Sequence, residues 1–284
     1  MTEEQAGSDA TSDTVVLAAF EGWNDAGGAA TSAVLHLIEV WGAQRVHELD
    51  PEDYHDFQVN RPVSEFDDDG RRVLTWPTTA VYVAEPVPGR RVVLVHGTEP
   101  SMRWRSYCAE LIESARSLGA ASMTTIGALL ADVPHTRPIP VTITSEDLGI
   151  QALLDIERST YEGPSGIVGV LQHEAQEAGL HAMSIWAAVP HYVAHPPSPK
   201  ATLAILARLE EVLTIPVPLL DLVDDAAAWQ AGVDELARED EEIAEYVSQL
   251  EEAKDTAELP EASGEAIARE FERFLRRRDK GIGG

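Results

Sequence analysis

TVVLAAFEGWNDAGGAATSAVLHLIEV, residues 14–40, moves from a branched apolar run through a polar turn into apolar residues spaced by three and four. The first run suits a strand buried on both faces, and the last part suits an amphipathic helix. Between them stands Trp23-Asn24-Asp25-Ala26-Gly27-Gly28. Backbone N–H groups at a helix start attract anions, so a glycine pair there could cradle a phosphate. Glu21 and Asp25 oppose that by repulsion, and neither GxxxxGK[ST] nor GxGxxG is present. The alternative is a capping turn, in which Asn24 or Asp25 accepts backbone N–H bonds and the glycines allow close approach of the helix.

The same rhythm repeats down the chain. RVVLVHG, SMTTIGALLA and HAMSIWAAVP read as further buried strands; SYCAELIESARSLG and IVGVLQHEAQEAG read as helices, each ending on glycine. Strands alternating with helices predict an α/β fold with a mostly parallel sheet and helices on both faces. Residues 43–85 depart from this pattern, with VHELD, YHDFQ, RRVLTW and AVYVAE set between Asp, Pro and Gly clusters, and predict short antiparallel strands. Ser165 in GPSGIVG is expected to cap the following helix.

Three segments follow from composition. Residues 1–13 read as a disordered tail and 14–218 as the α/β core. Residues 219–284 read as a helical extension with 19 acidic and 8 basic residues. Within it, Trp229, Val233, Leu236, Ile243, Val247 and Leu250 approximate one stripe of one helix, and a second helix is expected over residues 262–278 after a break at Leu259-Pro260. The two would form an acidic helical hairpin.

The totals exclude several classes. With 49 acidic against 21 basic residues, the net charge of -28 repels nucleic acid and anionic membrane surfaces. No apolar run approaches the roughly 18 residues of a membrane span. One cysteine, Cys108, forms no internal disulfide framework, fits a reducing cytoplasm and reads as a small core residue. No GxSxG elbow occurs. His191 and His195 are four apart, but the flanking prolines oppose a helix that would place both on one metal. No metal or cofactor is expected.

Four loops after strands, EGWNDAGG, EPSMRWRSY, LLADVPHTRP and WAAVPHYVAHPPSPKATL, concentrate aromatic, charged and proline residues. Trp23, Asn24, Asp25, Glu99, Arg103, Trp104, Arg105, Asp132, His135, Arg137, His191 and Tyr192 are the candidate ligand- or partner-binding residues. Open α/β folds gather such loops at one sheet edge.

Together these motifs resemble the proteasome assembly chaperone 2 family in the form seen in actinobacteria. The resemblance spans about residues 14–215 and rests on FEGWNDAG, EPSMRW, LLADVPHTRP, YEGPSGIVG and AVPHYVAHPPSPKAT. It implies a three-layer α/β/α sandwich similar to phosphorylase- and hydrolase-like enzymes. It also implies self-association as a homo-oligomer, a trimer among the arrangements open to it. Eukaryotic relatives hold proteasome α subunits during ring assembly. Relatives that dock on α rings often carry a penultimate tyrosine after a hydrophobic residue, whereas this chain reads RRRDKGIGG with no tyrosine beyond Tyr246, so that docking mode is not expected here. The basic RRRDK suits the end of a helix, where it could pair with the acidic helix before it.

Two functions follow. The first is a non-catalytic assembly or interaction protein whose strand-end loops bind protein partners, proteasome α subunits among them. The second is a small-molecule binder or enzyme using Asp25, Glu99, Asp132 and His135 as acid–base groups, with arginines to hold an anion. One deep polar pocket closing around those groups would favour the second; a spread face would favour the first.

Overall fold

The computed structural model describes residues 14–258. The expected tail over 1–13, the break at Leu259-Pro260, the helix over 262–278 and the pairing of RRRDK lie outside them.

Nine strands and eight α-helices are described. In chain order they are β1 (Thr14–Glu21), α1 (Ala29–Val40), β2 (Gln44–Glu48), α2 (Pro51–Tyr54), β3 (Val63–Phe66), β4 (Arg72–Thr75), β5 (Thr79–Val87) and β6 (Arg90–Thr98). There follow α3 (Trp104–Ser117), β7 (Ala120–Ala131), β8 (Val141–Thr144), α4 (Leu148–Leu154), α5 (Ile167–Glu177), β9 (His181–Pro190), α6 (Pro199–Leu213), α7 (Leu222–Glu239) and α8 (Glu241–Glu258). Seven strands form one sheet in the order β2-β5-β6-β1-β7-β9-β8, and β3 and β4 form a separate hairpin. The centre, β6-β1-β7-β9, is parallel. β5 and β8 run against their neighbours.

The pleat of β1 explains the layers, because successive side chains point to opposite faces. Leu17 and Ala19 enter one core with Leu37, Leu94, Ile205 and Leu209, beneath α1 and α6. Val16, Ala18 and Phe20 enter the other with Val93, Leu111 and Leu171, beneath α3 and α5. Helices therefore cover both faces of the sheet, giving a three-layer α/β/α sandwich. Most of the excursion over 43–85 is antiparallel as expected: β2 pairs with β5, which turns back along β6, and β3 pairs with β4. YHDFQ forms no strand, because Tyr54 closes the short α2 that the Asp50 carboxylate starts by accepting Glu52 N at 3.0 Å.

The sheet edges differ. β2, QRVHE, presents charged residues, whereas β8, VTIT, carries none. Charge on an edge strand discourages pairing with other chains.

Two further local expectations are corrected. The acidic stripe is two helices, since α7 stops at Asp240, whose carboxylate accepts from Glu242 N at 2.9 Å and Ile243 N at 3.2 Å and so starts α8. An N-cap aspartate thus outweighs helix propensity on both sides. Of the stripe, Val233, Val247 and Leu250 are buried while Leu236 is exposed. Ser165 caps nothing; its hydroxyl reaches only Gly166 O, and Gly166 is the N-cap of α5.

Candidate functional site

Parallel strands β6, β1, β7 and β9 end on the same side, so all four loops meet one sheet edge. There they divide into two groups.

The first group surrounds the turn after β1. That turn keeps pairing with β7, through Ala128 N to Asn24 O at 2.8 Å. Asp25 accepts from Ala30 N at 2.7 Å, from Thr31 N at 3.3 Å and from the Thr31 hydroxyl. The donors that a phosphate would need at this helix start are therefore taken by a carboxylate, and the capping reading holds for Asp25. Burial pushes the Asp25 carboxyl above its ordinary value, against the pull of those three hydrogen bonds. A raised acid favours the folded state most when protonated, so its contribution declines as pH rises from the unfolded value through the folded one. Replacing Asp25 with alanine strands two N–H groups and is expected to cost about 1–2 kcal/mol. Asp25→Asn keeps one acceptor and relieves the buried charge, so chemical denaturation at neutral pH should show a loss less than half as large. Equal losses would refute the capping role.

Asn24 acts otherwise than expected. Its side chain, 4% exposed, donates from Nδ2 to Glu99 Oε1 at 2.9 Å. The same oxygen accepts Ile167 N at 2.9 Å, at the start of α5. One carboxylate thereby joins the ends of β1 and β6 to α5, and takes the role expected of Ser165. Space enforces this node: a Cβ on Gly166 would stand 2.2 Å from Asn24 Nδ2. Gly27 enforces the next, as its O accepts Ser198 N at 2.9 Å, tying the turn to the loop before α6. Trp23 itself is 68% exposed.

The loop after β6 looks outward. Arg103 pairs with Asp53 and lies over the Tyr54 ring, 5.6 Å from its centroid. Trp104 opens α3 half-buried and donates from Nε1 to Pro100 O at 2.7 Å, while Arg105 is exposed. In the same helix Cys108 is buried, and desolvation lifts its thiol to about 12.

The second group lies under α7 and α8. His135, 1% exposed, meets the Tyr192 hydroxyl at 2.7 Å through Nδ1 and Asp234 at 2.9 Å through Nε2. The Tyr192 hydroxyl is pushed up to about 12, mainly by burial. Arg137 reaches Asp255 at 2.7 Å and Glu251 at 3.1 Å. Asp132 accepts from Tyr246 at 3.1 Å and pairs with His191 at 3.3 Å. Lys200 donates to His135 O and to Gln230. The carboxylates facing His135 and Arg137 thus come from the acidic helices, 99 to 118 residues away, which loop composition could not reveal. Lys200 stood within the quoted PPSPKAT motif, whereas Asp234, Glu251 and Asp255 had no signal beyond acidity.

A groove of about 930 Å³ opens beside the first group, lined from β7, β8, β9 and α5. Its lining includes Trp186, Thr142, Thr144, Gln172 and Tyr161, with Trp23 and Asn24 also on it. Trp186 occupies the room that glycine at 127 leaves, since a Cβ there would meet its ring at 2.5 Å. Asp25, Glu99, Asp132 and His135 do not line this groove. Among the described residues no group of three His, Cys, Asp or Glu side chains is placed to hold a metal, and no helix is long and apolar enough to cross a membrane.

An α/β/α sandwich whose strand-end loops are locked to one another by side chains, in place of a phosphate loop or nucleophile elbow, defines the class. The chain belongs to the PAC2 family, whose model matches residues 19–237. It is similar to a PAC2 family protein of solved structure from Streptomyces avermitilis, with 52% identity over 82% of this chain and 99% of that chain, at a TM-score of 0.77. It is also similar to a Mycobacterium tuberculosis proteasome-assembly chaperone homologue, with 49% identity over 82% of this chain and 99% of that one, at a TM-score of 0.74. Likeness to an archaeal proteasome activator from Pyrococcus furiosus, 17% identical over 80% of this chain and 94% of that chain at a TM-score of 0.59, is one of fold alone. Among curated proteins none matches the chain.

Proposed function

We propose that this chain is a non-catalytic assembly protein that binds protein partners, proteasome α subunits among them, through its strand-end loops. One observation carries the reading: Asp25, Glu99, Asp132 and His135 are spent on holding loops and helices, while this edge offers large apolar side chains to solvent. Trp23 is 68% exposed, Tyr161 66% and Leu130 50%. Aromatic anchors of this kind suit a protein interface. Support also comes from the mycobacterial relative, itself a proteasome-assembly chaperone homologue. Residues 14–218 would form the working core and the acidic helices an extension to it, in a homo-oligomer resident in the cytoplasm.

Sedimentation velocity of the protein alone and with cognate proteasome α subunits tests this. A co-sedimenting complex is expected, weakened at least tenfold by Trp23→Ala or Arg105→Ala. No complex at micromolar concentrations would overturn the partner assignment. The second reading, a small-molecule binder, is favoured by the groove itself, where hydroxyl and amide groups of Thr142, Thr144 and Gln172 stand beside Trp186. These groups can orient a ligand, and the acid and base beside them on the lining, Glu146 and His173, are both exposed.

A further inference from the structure

The contact between α7–α8 and the sheet edge is most specific where it is polar. Arg137, Lys200 and His135 gather on this edge of a chain whose net charge is -28, while His191 is paired with Asp132 on the same edge. The helices answer with Asp234, Glu251 and Asp255. Glu251 and Asp255 are four apart, hence on one face of α8, and both reach the Arg137 guanidinium. Asp255 is held below the usual carboxylate range by that guanidinium. Apolar burial from these two helices is modest, led by Ala226, Val233, Ala237, Val247 and Leu250. The Arg137, Glu251 and Asp255 side chains keep 33%, 29% and 53% exposure, so salt screens their pairing.

We infer that the β7 and β9 strand-end edge is a receptor for an acidic helix, occupied in cis by α7–α8 and taken in trans by a partner's acidic helix that displaces them. The inference rests on the partner-binding reading of these loops and names the chemistry of the partner segment: a helix with two carboxylates four residues apart. Tethering gives the cis occupant an effective concentration in the millimolar range. The natural chain is therefore mostly closed, and loosening α8 opens the receptor without altering it.

The experiment uses the full chain carrying Glu251→Lys and Asp255→Lys, with a fluorescent peptide of natural sequence 222–256 as probe. Anisotropy should show the variant binding the peptide at least tenfold tighter than the natural protein does. Half-molar salt, or a further Arg137→Glu, should remove the gain. Hydrogen exchange over 222–256 should be faster in the variant while β1 and α1 stay protected. Glu251→Gln with Asp255→Asn, which removes charge alone, should give the same order with a smaller gain. Peptide binding that is equal in variant and natural chain, or exchange over 222–256 that is unchanged, would overturn the receptor. A concentration-dependent dimer of the variant in place of peptide capture would assign the edge to a second copy's helices and overturn the partner assignment. α Subunits are absent from this experiment, so its failure and that of the sedimentation test can be told apart.

Discussion

Gly27→Ala is expected to lower the unfolding free energy by about 3 kcal/mol, as the sum of a left-handed backbone carrying a Cβ and a forced clash. The residue sits at φ +62°, and an added Cβ would lie 2.7 Å from Ser198 Cβ. That Cβ cannot swing away, because it moves only with the backbone, and Ser198 N is bonded to Gly27 O. Relief would require α6 to shift against α1, through a core that both helices share. Gly28 supplies the control. It has the same φ of +62°, yet its nearest contact for a Cβ is 3.4 Å away at Pro196. Gly28→Ala should therefore cost only the backbone part, about 1 kcal/mol. Urea denaturation of both variants decides the matter, and equal losses would show that the approach of Ser198 is not what requires glycine at 27.

Glu99→Ala should cost a similar amount, about 3 kcal/mol, for a different reason. It removes one oxygen that receives both Asn24 Nδ2 and Ile167 N, leaving two donors, one on a side chain 4% exposed, without their acceptor. Hydrogen bonds to charged groups contribute about 1.5–3 kcal/mol, and unmet buried donors cost about 1–3. Glu99→Gln retains an oxygen in the same place and should lose less than half as much. A Glu99→Ala protein of undiminished stability that fails in some chemical turnover would instead restore the catalytic alternative for this residue.

The central strands were legible because burial on both faces leaves unbroken runs such as VVLAAF and RVVLVHG, and the helices because their apolar spacing ends on Gly119 and Gly179. The convergence of the four loops followed from parallel strands alone. What stayed hidden was long-range partnership. Helix α5 takes its cap from Glu99, 68 residues earlier, and propensity at Ser165 carries no trace of that. His135 was singled out with Asp132 and Arg137 nearby, but its carboxylate comes from Asp234. The break at Asp240 was present in the letters as an aspartate before Glu-Glu-Ile, yet helix formers on either side masked it.

The buried Cys108 also makes this chain convenient to observe. A thiol lifted to about 12 holds almost no thiolate at neutral pH. Since the sequence has no other cysteine, one introduced at the exposed Tyr161 or Leu153 would be the single fast-reacting handle for a dye or spin label. Distances from that handle could then be followed in the otherwise natural background, with no residue of either core sacrificed.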